Sequence, residues 1–286
     1  MTRFGAVEAG GTKFVCGVGT GPDDLVTTTI PTTIPEETLE RVAAFFNGQS
    51  VGAIGIGSFG PVDLNPSSAK YGYITSTPKD GWRDTDLVGA VKRALGVPVA
   101  LDTDVNAAAL GEARWGAAKG TRNCIYMTVG TGVGGGAIVE GSLAHGTAHP
   151  EMGHMRLPHD FEADPFPGCC PFHRDCLEGL ASGFAIQQRW GVAGDALPLD
   201  HAAWRLESRY LALAVANLAC VLSPEVVILG GGVMMKDGLL GRITSEVSEL
   251  LNGYIALPSI VMPALGARSG VLGALALAAR LTCLNG

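Results

Sequence analysis

The placement of glycine constrains this chain more than any other feature of its sequence. Glycine accounts for 41 of the 286 residues, roughly twice its average share of a protein, and it clusters where apolar, β-branched segments end. Two clusters, residues 10–12 and 130–132, each separate one strand-like segment from another. A backbone without Cβ atoms can turn sharply or approach a ligand closely at such points. The pattern therefore predicts two hairpins with glycine-rich turns.

Strand-like and helical segments alternate along the chain, which is typical of an α/β fold. Predicted strands cover residues 4–7, 14–18, 51–56, 97–101, 125–129, 137–141 and 225–229. Predicted helices cover residues 35–47, 84–95, 104–115, 176–190, 202–222, 239–251 and 270–281. A strand that ends in a glycine loop follows each of the two hairpins. This repeat predicts an internal duplication, with two similar α/β domains facing one another.

The repeat also predicts where one domain ends and the next begins. We expect the first domain to cover residues 1–115 and the second to cover residues 116–269, with the division between residues 112 and 121. The C-terminal helix, residues 270–284, contains few polar positions. We therefore expect it to pack back on the first domain.

The charges and the apolar runs exclude several classes of protein. The chain carries 20 Lys and Arg against 27 Asp and Glu, a net charge of −7, without a block of basic residues, which disfavours a nucleic-acid partner. Its longest apolar run, residues 211–222, is shorter than the ~20 residues of a bilayer span. Glu8 interrupts the apolar start, so no secretory signal is predicted. Seven cysteines then indicate reduced thiols in a cytoplasmic protein.

Two glycine segments, residues 55–60 and 130–135, match the pattern GxGxxG after a strand. A dinucleotide-binding fold needs a helix that opens on these glycines and an acidic residue about 20 positions later, and neither segment complies. No lysine directly follows a glycine, which excludes a Walker A loop. The hairpin turns can be ordinary turns. They can also bind the phosphates of a nucleotide, with hydroxyls from Thr12 and Thr131 and a cation from Lys13.

Histidine and cysteine residues cluster between residues 154 and 176. Thiolate and imidazole groups at short spacing favour Zn²⁺, and four protein ligands are typical of a structural site. We predict the ligands His154, Cys170, His173 and Cys176 in a zinc-binding loop over residues 150–178. Cys169 is then a spare, small buried residue. The alternative is a cysteine-rich loop with free thiols.

An acidic loop, residues 102–104, follows the predicted strand 97–101. The carboxyl end of a strand is where α/β sheets place their ligands. A carboxylate there can act as a general base. One of the three residues can equally cap the next helix. The residues alone leave both roles open, and the two roles can coexist.

Seven motifs stand in the order of the ROK sugar kinases, a family within the actin/hexokinase-like superfamily, which this chain resembles from residue 4 to about residue 280. They are EAGGTK, GxGxxGPVD, DTDVNAAALGE, TVGTGVGGG, HPEMGH, CPFHRDCLEG and LGGGV. The segments EAGGTKF and CPFHRDC look most like the fructokinase branch. The resemblance implies an α/β, actin/hexokinase-like (ribonuclease H-like) duplicated two-domain fold with an interdomain cleft. It also implies ATP, Mg²⁺ and a hexose as ligands.

The resemblance further implies a set of site residues. Asp104 matches the catalytic general base, and Glu8, which stands where the family usually has Asp, would reach Mg²⁺ through water. The residues implied for ATP and its phosphates are Gly10, Gly11, Thr12, Lys13, Thr131, Gly132, Gly230 and Gly231. The residues implied for the sugar are Gly60, Pro61, Thr103, Glu151, His154 and Glu178, with Thr103 where the family usually has Asn. His173 lies in a stretch where the family usually has CxC followed by a third Cys.

The function implied by these residues is ATP-dependent phosphorylation of D-fructose to fructose 6-phosphate. A kinase for glucose, mannose or an N-acetylhexosamine is the first alternative, because it would use the same machinery. A sugar-responsive transcription repressor is disfavoured, because only three residues precede Phe4 and the net charge is negative. The metal and sugar motifs argue against an actin-like filament subunit. Broad apolar helices, such as the one over residues 202–222, lead us to expect a homodimer.

Overall fold

The structure, a computed structural model, describes residues 2–283, so the predicted helix end at residue 284 lies outside the described residues. The elements, in chain order, are β1 (Phe4–Ala9), β2 (Lys13–Gly19), β3 (Val26–Pro31), α1 (Pro35–Phe46), β4 (Ile54–Ser58), β5 (Tyr73–Ile74), β6 (Thr85–Asp86), α2 (Leu87–Leu95), β7 (Val99–Thr103), α3 (Asp104–Trp115), β8 (Cys124–Val129), β9 (Val133–Val139), β10 (Ser142–Leu143), α4 (Leu177–Ala181), α5 (Gly183–Trp190), α6 (Ala203–Leu222), β11 (Val226–Gly230), α7 (Leu239–Leu251), β12 (Ser259–Val261) and α8 (Ser269–Cys283). None of the helices in the described range is both long enough and apolar enough to cross a membrane.

The chain folds into two compact units. The first consists of the residues up to 120, segment 143–150 and the residues from 264 onward, and the second consists of residues 121–142 and 151–263. These bounds differ from the predicted domains, which place segment 143–150 in the second domain. The segment belongs to the first unit because His145 hydrogen-bonds there to Asp102 and His149 accepts the N–H of Val62. Helix α8 also lies in the first unit and packs against α3, β1 and β4.

Each unit contains a five-stranded sheet, and the two sheets share one arrangement. The strand order is β3-β2-β1-β4-β7 in the first unit and β10-β9-β8-β11-β12 in the second. In both sheets an antiparallel hairpin, β1 with β2 or β8 with β9, is extended by two parallel strands. The predicted internal duplication is therefore confirmed.

Two predicted helices have different bounds in the structure. Helix α2 begins at Leu87 rather than at residue 84, because Asp84 has a φ of 57° and the Asp86 side chain accepts the Gly89 N–H at 2.8 Å as the N-cap. The predicted helix 176–190 is two helices, α4 and α5. Between them the extended residue Ser182 caps α5, and the Gly183 N–H donates to the Gly130 carbonyl at 2.6 Å. This hydrogen bond holds the break between α4 and α5 against the second glycine turn.

The prediction of the second hairpin was wrong in where its turn ends. Strand β9 begins at Val133 and includes glycines 134–136, so the turn is confined to residues 130–132. The glycines allow β9 to approach the next segment closely. A Cβ on Gly135 would lie 2.8 Å from the Met152 Cβ, and one on Gly153 would lie 1.8 Å from the Val133 carbonyl oxygen. The sequence also failed to predict the threonine-rich strand β3.

Helix α3 lies at backbone-contact distance from α8. A Cβ on Gly273 would lie 1.6 Å from the Ala107 carbonyl oxygen, and one on Gly111 would lie 2.6 Å from the Ser269 carbonyl oxygen. Strand β4 approaches α8 in the same way, since a Cβ on Gly55 would lie 1.9 Å from the Ala274 carbonyl oxygen. No other residue type permits such contacts without a shift of the backbone. Backbone packing therefore fixes the position of α3.

Buried Glu112 of α3 supplies polar contacts to the same elements. One oxygen accepts the N–H of Ala117 at 2.7 Å and of Ala264 at 3.1 Å, and the other accepts the N–H of Leu265 at 3.0 Å and the hydroxyl of Ser269 at 2.7 Å. A fully buried carboxylate is tolerated only when hydrogen bonds replace its hydration. Glu112 thus joins the C-terminal end of α3 to the start of α8.

We expect Gly273→Ala to destabilise the protein by at least ~2 kcal/mol, because the added methyl group overlaps the backbone of α3. The matched control is Gly241→Ala on α7, where a Cβ meets no atom within 4 Å. That control should stabilise the protein by about 0.5–1 kcal/mol, as alanine does in an exposed helix. Urea unfolding of both variants measures the difference. Equal midpoints for the two variants would contradict the close α3–α8 contact.

Candidate active site

The acidic loop lies where β7 ends and α3 begins. Thr103 is the N-cap of α3, and its Oγ1 accepts the Asn106 N–H at 3.1 Å. Asp104 is the first residue of the helix, is half-buried, and accepts the N–H of Val105 on Oδ1 at 2.9 Å. The choice between cap and catalytic residue is therefore not exclusive: Thr103 caps the helix and Asp104 presents its carboxylate at the first turn.

Glu8 on β1 lies close enough to Asp104 and Lys13 for their charges to act on it. The pKa of Glu8 is raised from 4.5 to about 7, mainly by burial and then by the charge of Asp104, while Lys13 and the hydrogen bond from the Val271 N–H oppose the shift. The carboxyl group packs against Gly270 at the start of α8, where a Cβ would lie 2.5 Å from Cδ. The Glu8 Oε2 atom is buried without a hydrogen-bond partner among the described residues. Such an orphaned oxygen fits a water-mediated contact with a hard cation.

The first glycine turn, residues 10–12, is tied to β3. The Gly10 N–H donates to the Lys13 carbonyl at 3.0 Å, and Thr32 donates its hydroxyl to the Gly10 carbonyl at 2.7 Å and its N–H to the Thr12 carbonyl at 3.0 Å. Thr12 and Lys13 are exposed. Because the Gly10 N–H is used within the turn, an anion would meet the backbone of Gly11 and Thr12 and the Lys13 ammonium group.

Gly60 and Pro61, predicted to contact the sugar, follow β4 and are joined by a cis peptide bond. His149 holds this loop: its Nε2 accepts the Val62 N–H at 3.2 Å, and its ring lies beside Gly60. His149 was not among the predicted residues, although the repeated histidines in HGTAHPEMGH are a visible signal. The first unit thus brings together Glu8, the first glycine turn, the Gly60-Pro61 loop and the Asp104 turn.

The second glycine turn adjoins the glycine motif at the end of β11. Thr131 and Gly132 follow Gly130, whose N–H donates to the Gly132 carbonyl at 2.9 Å. Gly231 has a φ of 94°, and a Cβ there would lie 2.4 Å from the Val129 carbonyl oxygen. Both the positive φ and the contact require glycine. The predicted Gly230 ends β11.

A cavity of about 730 Å³ opens beside these two glycine segments. Gly130, Thr131 and Gly232 line it on one side. Trp204 of α6 and Lys236 also line it, and the Lys236 ammonium lies 4.6 Å from the centre of the Trp204 ring. The volume is that of a cofactor-sized pocket. An aromatic surface beside backbone N–H groups suits a nucleotide, in which a nucleobase is joined to phosphates.

Four predicted metal ligands converge in the second unit. The ligand atoms of His154, Cys170, His173 and Cys176 all lie within 4.8 Å of one another. The sulfur to Nδ1 distances are 3.7 Å from Cys170 to His154, 3.8 Å from Cys170 to His173 and 3.6 Å from Cys176 to His154. Tetrahedral zinc with its usual bond lengths separates sulfur and nitrogen by about 3.6 Å. The four residues therefore fit one tetrahedral ion.

The other predicted sugar residues lie next to this cluster along the chain. The Glu151 carbonyl accepts the His154 N–H at 3.0 Å, and the Glu151 residue is exposed. Glu178 is in the first turn of α4 and accepts the Val133 N–H on Oε2 at 3.0 Å. A Cβ on Gly132 would lie 2.6 Å from that oxygen. Glu178 therefore braces the second glycine turn as well as being a candidate sugar ligand.

A buried ionic network that the sequence did not predict anchors the predicted zinc-binding loop. Asp164, 3% exposed, accepts Arg189 Nη2 at 3.0 Å and the Tyr210 hydroxyl at 2.7 Å. These partners lie on α5 and α6, so the loop is fixed to two helices. Isolated Asp, Arg and Tyr residues give no sequence signal of such a network.

The fold and these candidate sites define an α/β protein of duplicated architecture with a glycine-rich hairpin turn in each unit and a carboxylate at a strand end. The model of the ROK family matches residues 4–281. The fructokinase of Pediococcus pentosaceus is 46% identical over 280 residues, which cover 96% of this chain and 97% of that protein.

Two solved structures are also similar. The ROK hexokinase of Thermus thermophilus has a TM-score of 0.84 and 30% identity, with all of both chains covered. A ROK family glucokinase of Streptomyces griseus, in complex with glucose and AMPPNP, has a TM-score of 0.79 and 28% identity, with 98% of this chain and 99% of that chain covered. The chain belongs to the ROK family, and the actin/hexokinase-like fold is confirmed.

We expect Glu8→Gln to raise the melting temperature at pH 8 and to leave it nearly unchanged at pH 4.5. The folded protein holds a proton on Glu8 up to a pKa of about 7, against the ordinary value of 4.5. Stability therefore falls as pH rises from 4.5 to about 7, and above that the buried charge opposes folding. A glutamine side chain has the same size as glutamate but carries no charge.

Thermal melts without added magnesium test this prediction, with exposed Glu40→Gln on α1 as the control. A gain of equal size at both pH values would exclude the buried-charge explanation.

Proposed function

We propose that this protein transfers the γ-phosphoryl group of ATP to the 6-hydroxyl group of D-fructose, giving fructose 6-phosphate. The observation that carries the proposal is the 46% identity with a fructokinase over 96% of this chain. Identity with the S. griseus glucokinase is 28%, so a glucose kinase is the second candidate. Mannose and N-acetylhexosamines remain alternatives that the same residues can serve.

Asp104 is the proposed general base. Its carboxylate stands at the end of β7, on a helix that Thr103 caps and that backbone packing holds in place. Phosphoryl transfer depends mainly on positioning and charge neutralisation, and a rigid carboxylate can accept the hydroxyl proton as the bond forms. Glu8 would contact Mg²⁺ through water, and Mg²⁺ supplies neutralisation of the phosphate charge.

The glycine turns are the proposed phosphate sites. In the first unit these are Gly10, Gly11, Thr12 and Lys13. In the second unit they are Thr131, Gly132, Gly230 and Gly231, with the nucleoside in the cavity lined by Trp204 and Lys236. The proposed sugar ligands are Gly60, Pro61, Thr103, Glu151, His154 and Glu178. A homodimer stays a prediction.

We expect ATP consumption to be fastest with fructose in a panel of fructose, glucose, mannose and N-acetylglucosamine.

Asp104→Asn should lower kcat with fructose by at least ~100-fold, because the general base is lost. The affinity for fructose should stay within a few fold, because the asparagine keeps the size of the side chain. Exposed Asp23→Asn is the control and should keep full activity.

The two measurements separate the parts of the proposal. A higher kcat/KM with glucose would support the second candidate. An absence of sugar-dependent ATP consumption by the wild-type protein would refute the kinase assignment. Near wild-type kcat in Asp104→Asn would contradict the general-base role of Asp104 and leave the kinase assignment unchanged.

Zinc is the proposed occupant of the His154, Cys170, His173 and Cys176 cluster, in a structural role that supports the adjacent sugar ligands. Burial raises the pKa of the Cys176 thiol to about 11, so metal binding must displace its proton. Structural zinc contributes directly to folding free energy.

We expect one zinc per chain, and Cys176→Ser should lose the metal and lower the melting temperature by at least about 5 °C. Cys169→Ser is the matched control, because Cys169 lies outside the four converging ligands. Metal analysis by mass spectrometry and thermal melts measure both effects, and fructose binding should weaken with the metal loss. Retention of zinc by Cys176→Ser, or its loss from Cys169→Ser, would show that the ligand set is different.

A further inference from the structure

His145 contacts the strand end that carries the Asp104 turn. Its Nε2 lies 2.9 Å from Oδ2 of Asp102, which is 3% exposed. The loop that carries His145 belongs to the first unit, and His149 fastens it again at Val62. The proposed mechanism does not use His145 or Asp102.

The other carboxylate oxygen of Asp102 accepts hydrogen bonds from residues on both sides of Asp104. Its Oδ1 accepts the Thr103 N–H at 2.8 Å and the Asn106 side-chain amide at 2.7 Å. Thr103 and Asn106 are themselves joined by the cap bond of α3. Asp104 therefore lies between two residues that one buried carboxylate holds together.

The hydrogen-bond partners decide which ring nitrogen of His145 carries a fixed proton. A carboxylate only accepts hydrogen bonds, so the Nε2 of His145 is the donor to Asp102. The Asn106 amide nitrogen is 3.4 Å from the same Nε2, too far for a good hydrogen bond. Nδ1 is therefore the nitrogen that gains or loses a proton with pH. The His145 side chain is 38% exposed and lines a cavity of about 520 Å³, so it can exchange protons with solvent.

Asp102 is the group beside His145 that favours its charged form. Its hydrogen bond with Asp102 raises the pKa of His145 above the ordinary 6.5, and burial opposes the shift. Tyr71 also lines the cavity, and burial and the Asp102 charge raise the pKa of its hydroxyl. Burial and the charge of Arg114 lower the pKa of Arg280 on α8, and the charge of Asp102 raises it. Of these groups, only His145 changes its charge near neutral pH.

We propose that His145 is a positioning residue that, through Asp102, holds the Asp104 turn in its reactive orientation, and does so most firmly when protonated. The inference rests on the proposed kinase function. Protonated His145 makes an ion pair with Asp102, whereas neutral His145 keeps only the hydrogen bond. A raised histidine pKa gives a stabilisation that is lost as the pH rises through that pKa. The interaction between His145 and Asp102 therefore weakens toward alkaline pH.

Steady-state kinetics of His145→Ala and His145→Gln in the full chain test the proposal. His145→Ala should lower kcat by ~10-fold, since small misplacements of a catalytic group are costly, while KM for ATP stays within about 2-fold. Glutamine keeps an N–H donor near the position of Nε2 but never becomes charged. His145→Gln should therefore approach wild-type kcat at pH 8.5 and fall behind it at pH 6. His201→Gln, a histidine outside this cluster, should match the wild type at both pH values.

A second readout does not depend on activity. The ring of His145, followed by NMR, should titrate above 6.5 in the wild type and closer to 6.5 in Asp102→Asn. Titration near 6.5 in both proteins, or equal loss of kcat in the alanine and glutamine variants at every pH, would overturn the proposal. If the wild type had no hexose kinase activity, the proposed function would fail instead, and the NMR titration would still test the His145–Asp102 pair.

Discussion

The contact between α3 and its neighbours is the constraint on which the candidate active site depends. Gly273, Gly111 and Gly55 remove the side chains that would separate α8 from α3 and β4, and Glu112 fills the remaining polar contacts. The N-terminus of α3 is then fixed by main-chain atoms, which move less than side chains. A carboxylate at that terminus is therefore held in position, as phosphoryl transfer requires.

The second unit uses the same device for a different purpose. A Cβ on Gly179 would lie 1.7 Å from the Arg174 carbonyl oxygen, and one on Gly153 would lie 1.8 Å from the Val133 carbonyl oxygen. These contacts hold the loop with the His154, Cys170, His173 and Cys176 cluster against β9 and α4. The four predicted metal ligands, Glu178 and the second glycine turn are therefore parts of one packed region. High glycine content thus serves close packing as much as turn formation.

Local signals in the sequence were sufficient for much of this structure. The bounds of α3 and α7 agree with the prediction, as does the presence of two hairpins with glycine turns, and the four predicted metal ligands converge as their spacing indicates. The break at Ser182 could not be predicted, because it depends on the bond from Gly183 to Gly130, which are distant in the sequence. Glycines 134–136 form a strand because they pair with residues 126–128 of β8, although a run of glycines is more typical of a turn. The Asp102–His145 pair also joins residues 43 positions apart, and no local pattern marks such a pair.

The most direct measurement is a crystal structure of the Asp104→Asn protein with fructose and AMPPNP. The account predicts that the 6-hydroxyl group of the sugar lies within hydrogen-bond distance of residue 104, at the first turn of α3. The phosphates should contact a glycine turn, at residues 10–12 or at residues 130–132. A sugar bound away from the first turn of α3, or phosphates that touch neither turn, would contradict it.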